Sequence, residues 1–405
     1  MPALASGAQL TVHIDSAAHG GEGVARAEGM VIFVRGGVPG DTALVELLDV
    51  KKRFARGRIL EVMQAAPGRV SHRCPAAAAG AGCCDYSEVS PQLELELKAG
   101  VLRDQLERIG GFAQYPEIES IDLSPTQGWR TRFRLGVDER GRAGFRASAS
   151  NDVVVGKLCA QAAPGVLDDL LAPAARFSPR SELIVAVDSA GNRTVVEAPK
   201  AARGRSVGNV SKHVDGEHVL QQQVDDVTFN LSPLSFWQAH VAAPQAYADI
   251  AAAWLAEFEF EAKQPVVWDL YGGVGLFVPA VLRAIPNAKV ISVEISAQAA
   301  KIGRQALPGR KVDFVTGDVA KQIYHLTDPQ VVILDPPRKG AGPDVISAIA
   351  ARQPEAVLHI GCDPATFARD LAVWAQAGYT LEKLTQFNAF PGTHHSETFS
   401  LLVKA

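Results

Sequence analysis

The sequence contains no long hydrophobic run, although 47% of its 405 residues are hydrophobic. No stretch approaches the roughly 20 apolar residues that a membrane-spanning helix needs. The chain also opens without the basic residue and apolar stretch of a secretory signal. We therefore expect a cytoplasmic protein that does not enter a membrane. The apolar content also excludes a disordered chain, because each region can bury a core.

Charge of neither sign dominates, since 40 basic residues face 44 acidic ones and the net charge is −4. Any contact with nucleic acid must therefore rest on a local basic surface. Arg130, Arg132 and Arg134 alternate along a predicted strand over 129–137 and would share one face. That face would suit RNA phosphates, or it is simply exposed to solvent. Two further basic clusters are Lys51, Lys52, Arg53, Arg56 and Arg58, and Lys200, Arg203, Arg205 and Lys212.

Cysteine is scarce, and the odd number of five argues against a disulfide framework in a chain of this kind. Cys74, Cys83, Cys84 and Cys159 predict a four-thiolate site, while Cys362 stands alone far downstream. Four thiolates suit Zn²⁺ or a [4Fe–4S] cluster. Zinc sites normally use cysteine pairs two to four residues apart, so the spacing here favours the cluster. Buried free cysteines without a metal are the remaining alternative.

The chain is expected to be a multidomain α/β protein with three regions. In residues 1–66, short strands separated by turn residues predict an OB-like β-barrel, a fold that often binds RNA. Residues 67–233 predict a central antiparallel β domain with the cysteine loop. Within it, a helix over 91–110 is expected to pack on the C-terminal region. Residues 234–405 alternate strands with helices, which predicts a Rossmann-like sheet.

A glycine-rich loop follows the first strand of this C-terminal sheet. Gly273 and Gly275 lie in the segment Tyr271–Phe277, where a ligand can approach the backbone closely. The second strand ends in Glu294, which can hold a ribose diol. The spacing is not that of a dinucleotide site, and the pattern has the usual look of an S-adenosylmethionine site. Asp318 would lie near the adenine, or it caps a helix or turn.

Three later strand ends carry residues suited to chemistry. Asp335 begins an Asp-Pro-Pro-Arg segment whose prolines stiffen the loop. Cys362 precedes Asp363-Pro364 at a predicted helix N-terminus, where the dipole would lower the thiol pKa and make a nucleophile. A buried small hydrophobe is the alternative for Cys362. Glu397 at the mouth of the last strand is positioned as a general base.

With these motifs the chain resembles the RNA 5-methyluridine methyltransferases, which act on tRNA and 23S rRNA. The resemblance implies a TRAM barrel over 1–66, and a cluster on the four cysteines. It implies Cys362 as nucleophile and Glu397 as general base. Positions that match its cofactor or base pocket are Gln238, Tyr271, Glu294, Asp318 and Asp335. The chain departs from the family at Leu276, where asparagine is usual, and at Cys83-Cys84, where Cys-Gly-Gly-Cys is usual.

The resemblance implies methyl transfer from S-adenosylmethionine to C5 of a uridine in structured RNA, with 23S rRNA favoured over tRNA. The Cys362 thiolate would add to C6 of the uracil, and Glu397 would later remove the C5 proton. No obligate protein partner is predicted. Three alternatives remain: a non-catalytic RNA-binding or assembly protein, a dinucleotide-dependent reductase, and a cytosine-C5 RNA methyltransferase.

Overall fold

The computed structural model describes residues 5–199 and 211–405. Its N-terminal part is a closed barrel of five strands in the order β1-β2-β3-β5-β4, as expected for an OB-like fold. The strands are β1 (Gln9–Ala17), β2 (Gly23–Ala27), β3 (Met30–Arg35), β4 (Thr42–Val50) and β5 (Phe54–Gln64). Strand β2 was not predicted, because Gly20, Gly21 and Gly23 indicate a loop. A Cβ at Gly23 would lie 2.7 Å from both the Gly37 carbonyl oxygen and the Ile14 side chain, so the barrel interior requires glycine there.

The central region is β-rich and antiparallel, as predicted. A six-stranded sheet runs in the order β12-β11-β10-β7-β8-β9, and β13 and β14 form a separate hairpin. The elements are α1 (Pro75–Ala78), α2 (Pro91–Arg108), β6 (Ile118–Asp122), β7 (Arg132–Val137), β8 (Ala143–Arg146), β9 (Val153–Val155), β10 (Ser181–Val187), β11 (Arg193–Pro199), β12 (Lys212–Gly216), β13 (Leu220–Val224) and β14 (Val227–Leu231).

The C-terminal region has a Rossmann-like fold, in which strands of a mostly parallel sheet alternate with helices. Its elements are α3 (Ala243–Leu255), β15 (Val266–Leu270), α4 (Val278–Ala284), β16 (Lys289–Glu294), α5 (Ala297–Ala306), β17 (Val312–Thr316), α6 (Val319–Gln322), a 3₁₀ turn (Ile323–His325), β18 (Val331–Leu334), α7 (Pro343–Ala350), β19 (Ala356–Gly361), α8 (Pro364–Gln376), β20 (Tyr379–Asn388) and β21 (Glu397–Lys404). Strands β15 to β19 are parallel, and β21 is antiparallel to both β19 and β20.

The segment that contains α2 and β6 joins this C-terminal sheet. Helix α2 begins at the cap residue Ser90, whose hydroxyl accepts the Leu93 N–H at 3.3 Å. Leu102 and Leu106 on α2 are fully buried in the core beneath the sheet, which also contains Leu371 of α8. Strand β6 pairs in parallel with β20 and completes an eight-stranded sheet in the order β17-β16-β15-β18-β19-β21-β20-β6. The chain therefore crosses early into the C-terminal sheet and returns.

The arginines around β7 are not a free basic face, which corrects the sequence prediction. Arg132 donates to the Pro233 carbonyl at 3.0 Å and to the Ser235 carbonyl at 2.5 Å. Arg134 forms an ion pair with Glu182 at 2.8 Å. Arg130 donates to the side chain of Gln161 at 3.0 Å. Arg130 and Arg132 therefore hold neighbouring segments of the protein together, whereas Arg134 is 57% exposed and forms a surface ion pair, as the solvent-exposed alternative expected.

The basic cluster Lys200, Arg203, Arg205 and Lys212 lies mostly outside the described residues, which include only Lys212 of the four. Among residues 5–199 and 211–405, no helix is both long and apolar enough to cross a membrane.

Candidate active site

The carboxyl ends of the parallel strands open into one cleft of about 740 Å³. That volume is typical of sites for small molecules and cofactors. Seven of the predicted site residues line it: Gln238, Tyr271, Gly273, Glu294, Asp335, Cys362 and Glu397. They come from β15, β16, β18, β19, β21 and the segment before α3, so the fold gathers residues that are far apart in sequence. Gly275 and Asp318 do not line the cleft.

The glycine loop has the conformation that its sequence suggests. Tyr271, Gly273 and Gly275 have φ values of 60°, 59° and 86°, in the left-handed region that favours glycine. The Gly273 N–H donates to Glu294 Oε2 at 3.0 Å, and the Ser296 N–H donates to Oε1 at 2.6 Å. Glu294 is thereby fixed at the mouth of β16. Each carboxylate oxygen keeps a lone pair for a ligand hydroxyl.

Two of the predicted cofactor residues do not line the cleft and make contacts within the protein. The Asp318 carboxylate caps α6 by accepting the Ala320 N–H at 2.9 Å, which is the helix-cap alternative drawn from the sequence. Gly275 lies behind the cleft, where a Cβ would be 3.0 Å from the Phe314 ring. Asp269, before the loop, is buried beneath it and accepts the Ser292 hydroxyl at 2.7 Å.

Burial, followed by neighbouring negative charge, raises the pKa of three ionisable groups of the cleft. Burial raises the pKa of Asp335 to about 7. Burial and the neighbouring charge of Asp335 raise the pKa of Glu397 well above its usual range. Burial, followed by the charges of Glu397 and Asp335, raises the pKa of the Cys362 thiol to about 12. The sequence prediction of a lowered thiol pKa is therefore wrong for the free protein, because burial and, after it, the charges of Glu397 and Asp335 outweigh the helix dipole.

The loop that carries Cys362 is tied to the barrel. Asp363 caps α8 by accepting the Thr366 N–H at 2.9 Å. Its other oxygen lies 3.0 Å from Nε2 of His19, which follows β1. The Thr366 hydroxyl donates to the carbonyl of Arg338 at 2.9 Å. The nucleophile loop, the Asp-Pro-Pro-Arg loop and the barrel are thus connected by hydrogen bonds.

Three residues outside the predicted set of site residues lie close to these groups. Arg338 lines the cleft, and its charge lowers the pKa of Cys362. His395 also lines it, and burial lowers its pKa to about 4, so its imidazole is neutral. Tyr247 of α3 is 2% exposed, and its hydroxyl has no hydrogen-bond partner among the described residues. Burial, followed by the charges of Glu397, Asp335 and Cys362, raises the pKa of Tyr247 well above its usual range. Its apolar helical setting indicated only a core residue.

The four predicted ligand cysteines converge at a separate site. The Sγ atoms of Cys74, Cys84 and Cys159 all lie within 4.8 Å of one another. The Cys83 Sγ lies 3.8 Å from the Cys84 Sγ. Hydrogen bonding with Cys159 lowers the pKa of Cys74 and raises the pKa values of Cys83 and Cys84. Four free thiols this close cannot all ionise unless a cation binds them, so the donor set fits a metal centre.

Comparison with known proteins agrees with the fold and the cleft. Residues 5–60 match the TRAM domain family, and residues 278–405 match the tRNA (uracil-5-)-methyltransferase family. A protein of Corynebacterium efficiens described as an uncharacterized RNA methyltransferase is 53% identical, over 100% of this chain and 96% of its own length. One from Corynebacterium glutamicum with the same description is 51% identical over 99% and 98%.

A solved structure has the same overall fold. The tRNA (uracil-54, C5)-methyltransferase of Pyrococcus abyssi, in complex with S-adenosyl-L-homocysteine, matches with a TM-score of 0.72 at 18% identity. The match covers 97% of this chain and 100% of that one.

Fold, cleft and relatives together define an S-adenosylmethionine-dependent RNA methyltransferase. The chain belongs to the RNA (uracil-5-)-methyltransferase family and carries a TRAM domain at its N-terminal end. The resemblance drawn from the sequence motifs is thereby confirmed.

Proposed function

We propose that the protein methylates C5 of a uridine in structured RNA, through a covalent bond from Cys362 to C6 of the uracil. One observation carries the proposal. Cys362, Asp335 and Glu397 project from three different strands into the cleft that also holds the glycine loop and Glu294. Neither a dinucleotide reductase nor a passive RNA-binding protein needs a thiol beside a buried carboxylate.

The residues divide the chemistry among themselves. C5 of uracil is a weak nucleophile, and addition of the Cys362 sulfur to C6 turns it into an enolate carbon that can accept a methyl group. When bound, S-adenosylmethionine would supply that methyl group from its positively charged sulfur, and the electrons of the broken S–CH3 bond would stay on that sulfur as a neutral thioether. Glu397 then takes the C5 proton, and the electrons of that C–H bond expel the Cys362 thiolate from C6. The product is 5-methyluridine with the enzyme thiol restored.

The unusual pKa values suit these roles. With a pKa of about 12, the Cys362 thiol stays protonated in the free protein and needs positive charge nearby to ionise. Arg338 supplies one such charge, and the cofactor brings another. Asp335, with a pKa of about 7, can remain protonated and donate a hydrogen bond to a uracil carbonyl. The Gln238 amide can hold another edge of the same base.

The cofactor is assigned to the side of the cleft formed by the glycine loop. Tyr271 and Gly273 would face its methionine part, and the Glu294 carboxylate would accept its ribose hydroxyls. For Gly275 and Asp318 we propose an indirect role, because they shape the loop and cap α6 behind these contacts. We also propose functional regions of 1–66, 67–233 and 234–405 for RNA binding, metal binding and catalysis.

The RNA target is proposed to be 23S rRNA, with tRNA as the second candidate. The target uridine must leave its base stack to reach Cys362, because the cleft is enclosed by protein on the strand side. In the TRAM barrel, Arg56 lies over the rings of Phe33 and Phe54 at 5.9 and 6.0 Å. Arginine beside aromatic rings is a common surface for RNA bases and phosphates.

A covalent adduct tests the division of roles. Glu397→Gln should still add Cys362 to C6 but cannot remove the C5 proton, so an RNA–protein adduct accumulates and resists denaturing electrophoresis. Cys362→Ala is the matched control and should form no adduct. Absence of the adduct in Glu397→Gln, with RNA and cofactor present, would contradict Glu397 as the base.

For the four cysteines we propose a structural [4Fe–4S] cluster, supported by an all-thiolate, largely buried donor set. A second candidate, Zn²⁺, is favoured by the distance between sulfur atoms, in contrast to the separation of the cysteines along the sequence. A single tetrahedral zinc with Zn–S bonds of about 2.3 Å holds its sulfurs about 3.8 Å apart. That matches the 3.8 Å between Cys83 and Cys84, whereas four separate irons hold their thiolates further apart. Either centre requires a reducing compartment, so we propose the cytoplasm.

Metal analysis of anaerobically purified protein decides between the two centres. The cluster predicts a brown protein with about four irons per chain. A colourless protein with one zinc per chain would contradict it and establish the second candidate.

A further inference from the structure

The loop between β20 and β21, residues 389–396, leads directly into Glu397. It lies against the segments that carry the metal-site cysteines. Asp85, next to Cys84, accepts the backbone N–H of His394 at Oδ2 with a distance of 3.0 Å and also contacts the His394 ring. Tyr86 donates its N–H to the Gly392 carbonyl at 3.1 Å. The residues that follow Cys84 are thus bonded to the backbone of this loop.

The loop is also anchored by the segment that follows Cys159 and by the segment that precedes β7. Gln161, two residues after Cys159, donates from Nε2 to the Pro391 carbonyl at 3.3 Å. The indole N–H of Trp129 donates to the same carbonyl at 3.3 Å. Both cysteine segments therefore hold the loop, one on each side of Pro391 and Gly392.

Helix α2 supplies the deepest anchor. The fully buried carboxylate of Glu94 accepts the Gly392 N–H at 2.8 and 3.0 Å. Lys98 donates to the Phe390 carbonyl at 3.3 Å. The barrel closes the other side, since a Cβ at Gly21 would lie 2.7 Å from Asp85 Oδ2 and 2.9 Å from the His394 Cβ. The loop consequently has little freedom to move while these segments keep their places.

The Glu397 carboxylate itself has no such support. Within the part of the chain that the structure describes, its pKa is governed by burial and by the charges of Asp335 and Arg338, without a hydrogen-bond donor. Its direction is therefore set by its own backbone, which starts β21 opposite Phe387 of β20 at the point where the loop ends. A base must stand within about 3 Å of the proton that it removes, so a small displacement of this backbone slows proton removal strongly.

We propose that the cysteine site is a template for the loop 389–396, with Asp85 as the positioning residue that places Glu397 for proton removal. This inference rests on the proposed function. It assigns the thiol site to one chemical step, because Cys362 belongs to a different loop and can still add to C6. In a protein with a displaced loop, the C5 proton stays on the methylated base, the S–C6 bond is not broken, and the adduct persists.

The test compares the release of tritium from C5-labelled uridine with the amount of covalent adduct. Asp85→Ala should release tritium at least tenfold more slowly than wild type and accumulate adduct, with unchanged metal content. Asp85→Asn should recover much of the release, because its amide oxygen can still accept the His394 N–H. Asp138→Ala is the control: it removes a carboxylate that accepts the N–H groups of Arg140 and Arg142 in the turn between β7 and β8.

The outcomes separate this inference from the function on which it rests. If Glu397→Gln accumulates adduct while both Asp85 variants keep the wild-type ratio of adduct to release, the positioning role is wrong. The same holds if Asp85→Ala loses release and adduct equally, since that is a general structural defect. If Glu397→Gln forms no adduct, the proposed chemistry itself fails. Should Asp85→Ala not fold, Gln161→Ala, which removes the donor to the Pro391 carbonyl, replaces it and should likewise slow release and accumulate adduct; a wild-type ratio in Gln161→Ala would then overturn the inference.

Discussion

Lys98 on α2 offers a sharp test of how the structure is held together. Its ammonium group is 1% exposed and lies 2.8 Å from Glu94 Oε1 and 2.5 Å from Asn388 Oδ1. Replacing it with methionine fills the space but leaves Glu94 buried with Arg73, at 2.5 Å, as its remaining side-chain cation. Removing one partner of a buried ion pair costs about 3–5 kcal/mol. Because Arg73 remains, we expect a loss of about 3 kcal/mol in the free energy of unfolding for Lys98→Met.

The same helix provides a matched control. Arg108 pairs with Asp104 at 2.8 Å with the same spacing of four residues, but its side chain is 76% exposed. Arg108→Met should therefore cost no more than about 0.5 kcal/mol. Urea unfolding of the full-length proteins, followed by tryptophan fluorescence, measures both. Equal losses for the two substitutions would refute the claim that burial makes the Lys98 pair important.

Three further changes have defined outcomes. Asp335 keeps its proton up to about pH 7 when folded, against a usual pKa of 3.8, so the wild-type protein loses stability as pH rises through that window. The free energy of unfolding of Asp335→Asn, measured with urea, should therefore rise relative to that of wild type by about 3 kcal/mol as the pH increases from 5 to 8. A difference that does not change with pH would contradict the raised pKa. Tyr247→Phe removes a buried hydroxyl that has no partner within residues 5–199 and 211–405, and should be as stable as wild type or up to about 2 kcal/mol more stable by calorimetry; a loss of more than 1 kcal/mol would show that the hydroxyl is bonded. Gly275→Ala, at φ 86° and 3.0 Å from Phe314, should cost about 1–3 kcal/mol, and an unchanged melting curve would contradict that packing.

The parallel sheet and most of its cleft could be predicted because the signals are local. Each buried strand is followed directly by its site residue, and parallel strands bring their carboxyl ends to one edge. Glu294, Asp335 and Cys362 line the cleft for that reason. The closed barrel was predictable from short strands and turns, but β2 was not, since its first residue, Gly23, is required by the close approach of Ile14 and Gly37.

What the sequence could not indicate depends on contacts between distant segments. Arg132 stands at an alternating position typical of an exposed strand face. Its guanidinium nevertheless donates hydrogen bonds to carbonyl groups about a hundred residues later in the chain. The thiol of Cys362 was expected to be acidic from its helix alone, whereas burial and then the charges of Glu397 and Asp335, from other strands, raise its pKa. The bond between Asp85 and His394 joins residues 309 positions apart, and no periodicity foretells it.

The central claim is C5 methylation through Cys362, and tritium release tests it most directly. Total RNA labelled at uracil C5, from a strain that lacks this protein, is incubated with wild type or Cys362→Ala, with and without S-adenosylmethionine. The account predicts release that requires the cofactor and disappears in Cys362→Ala. Release that persists in the variant would contradict Cys362 as the nucleophile, and no release from wild type would contradict C5 methylation itself.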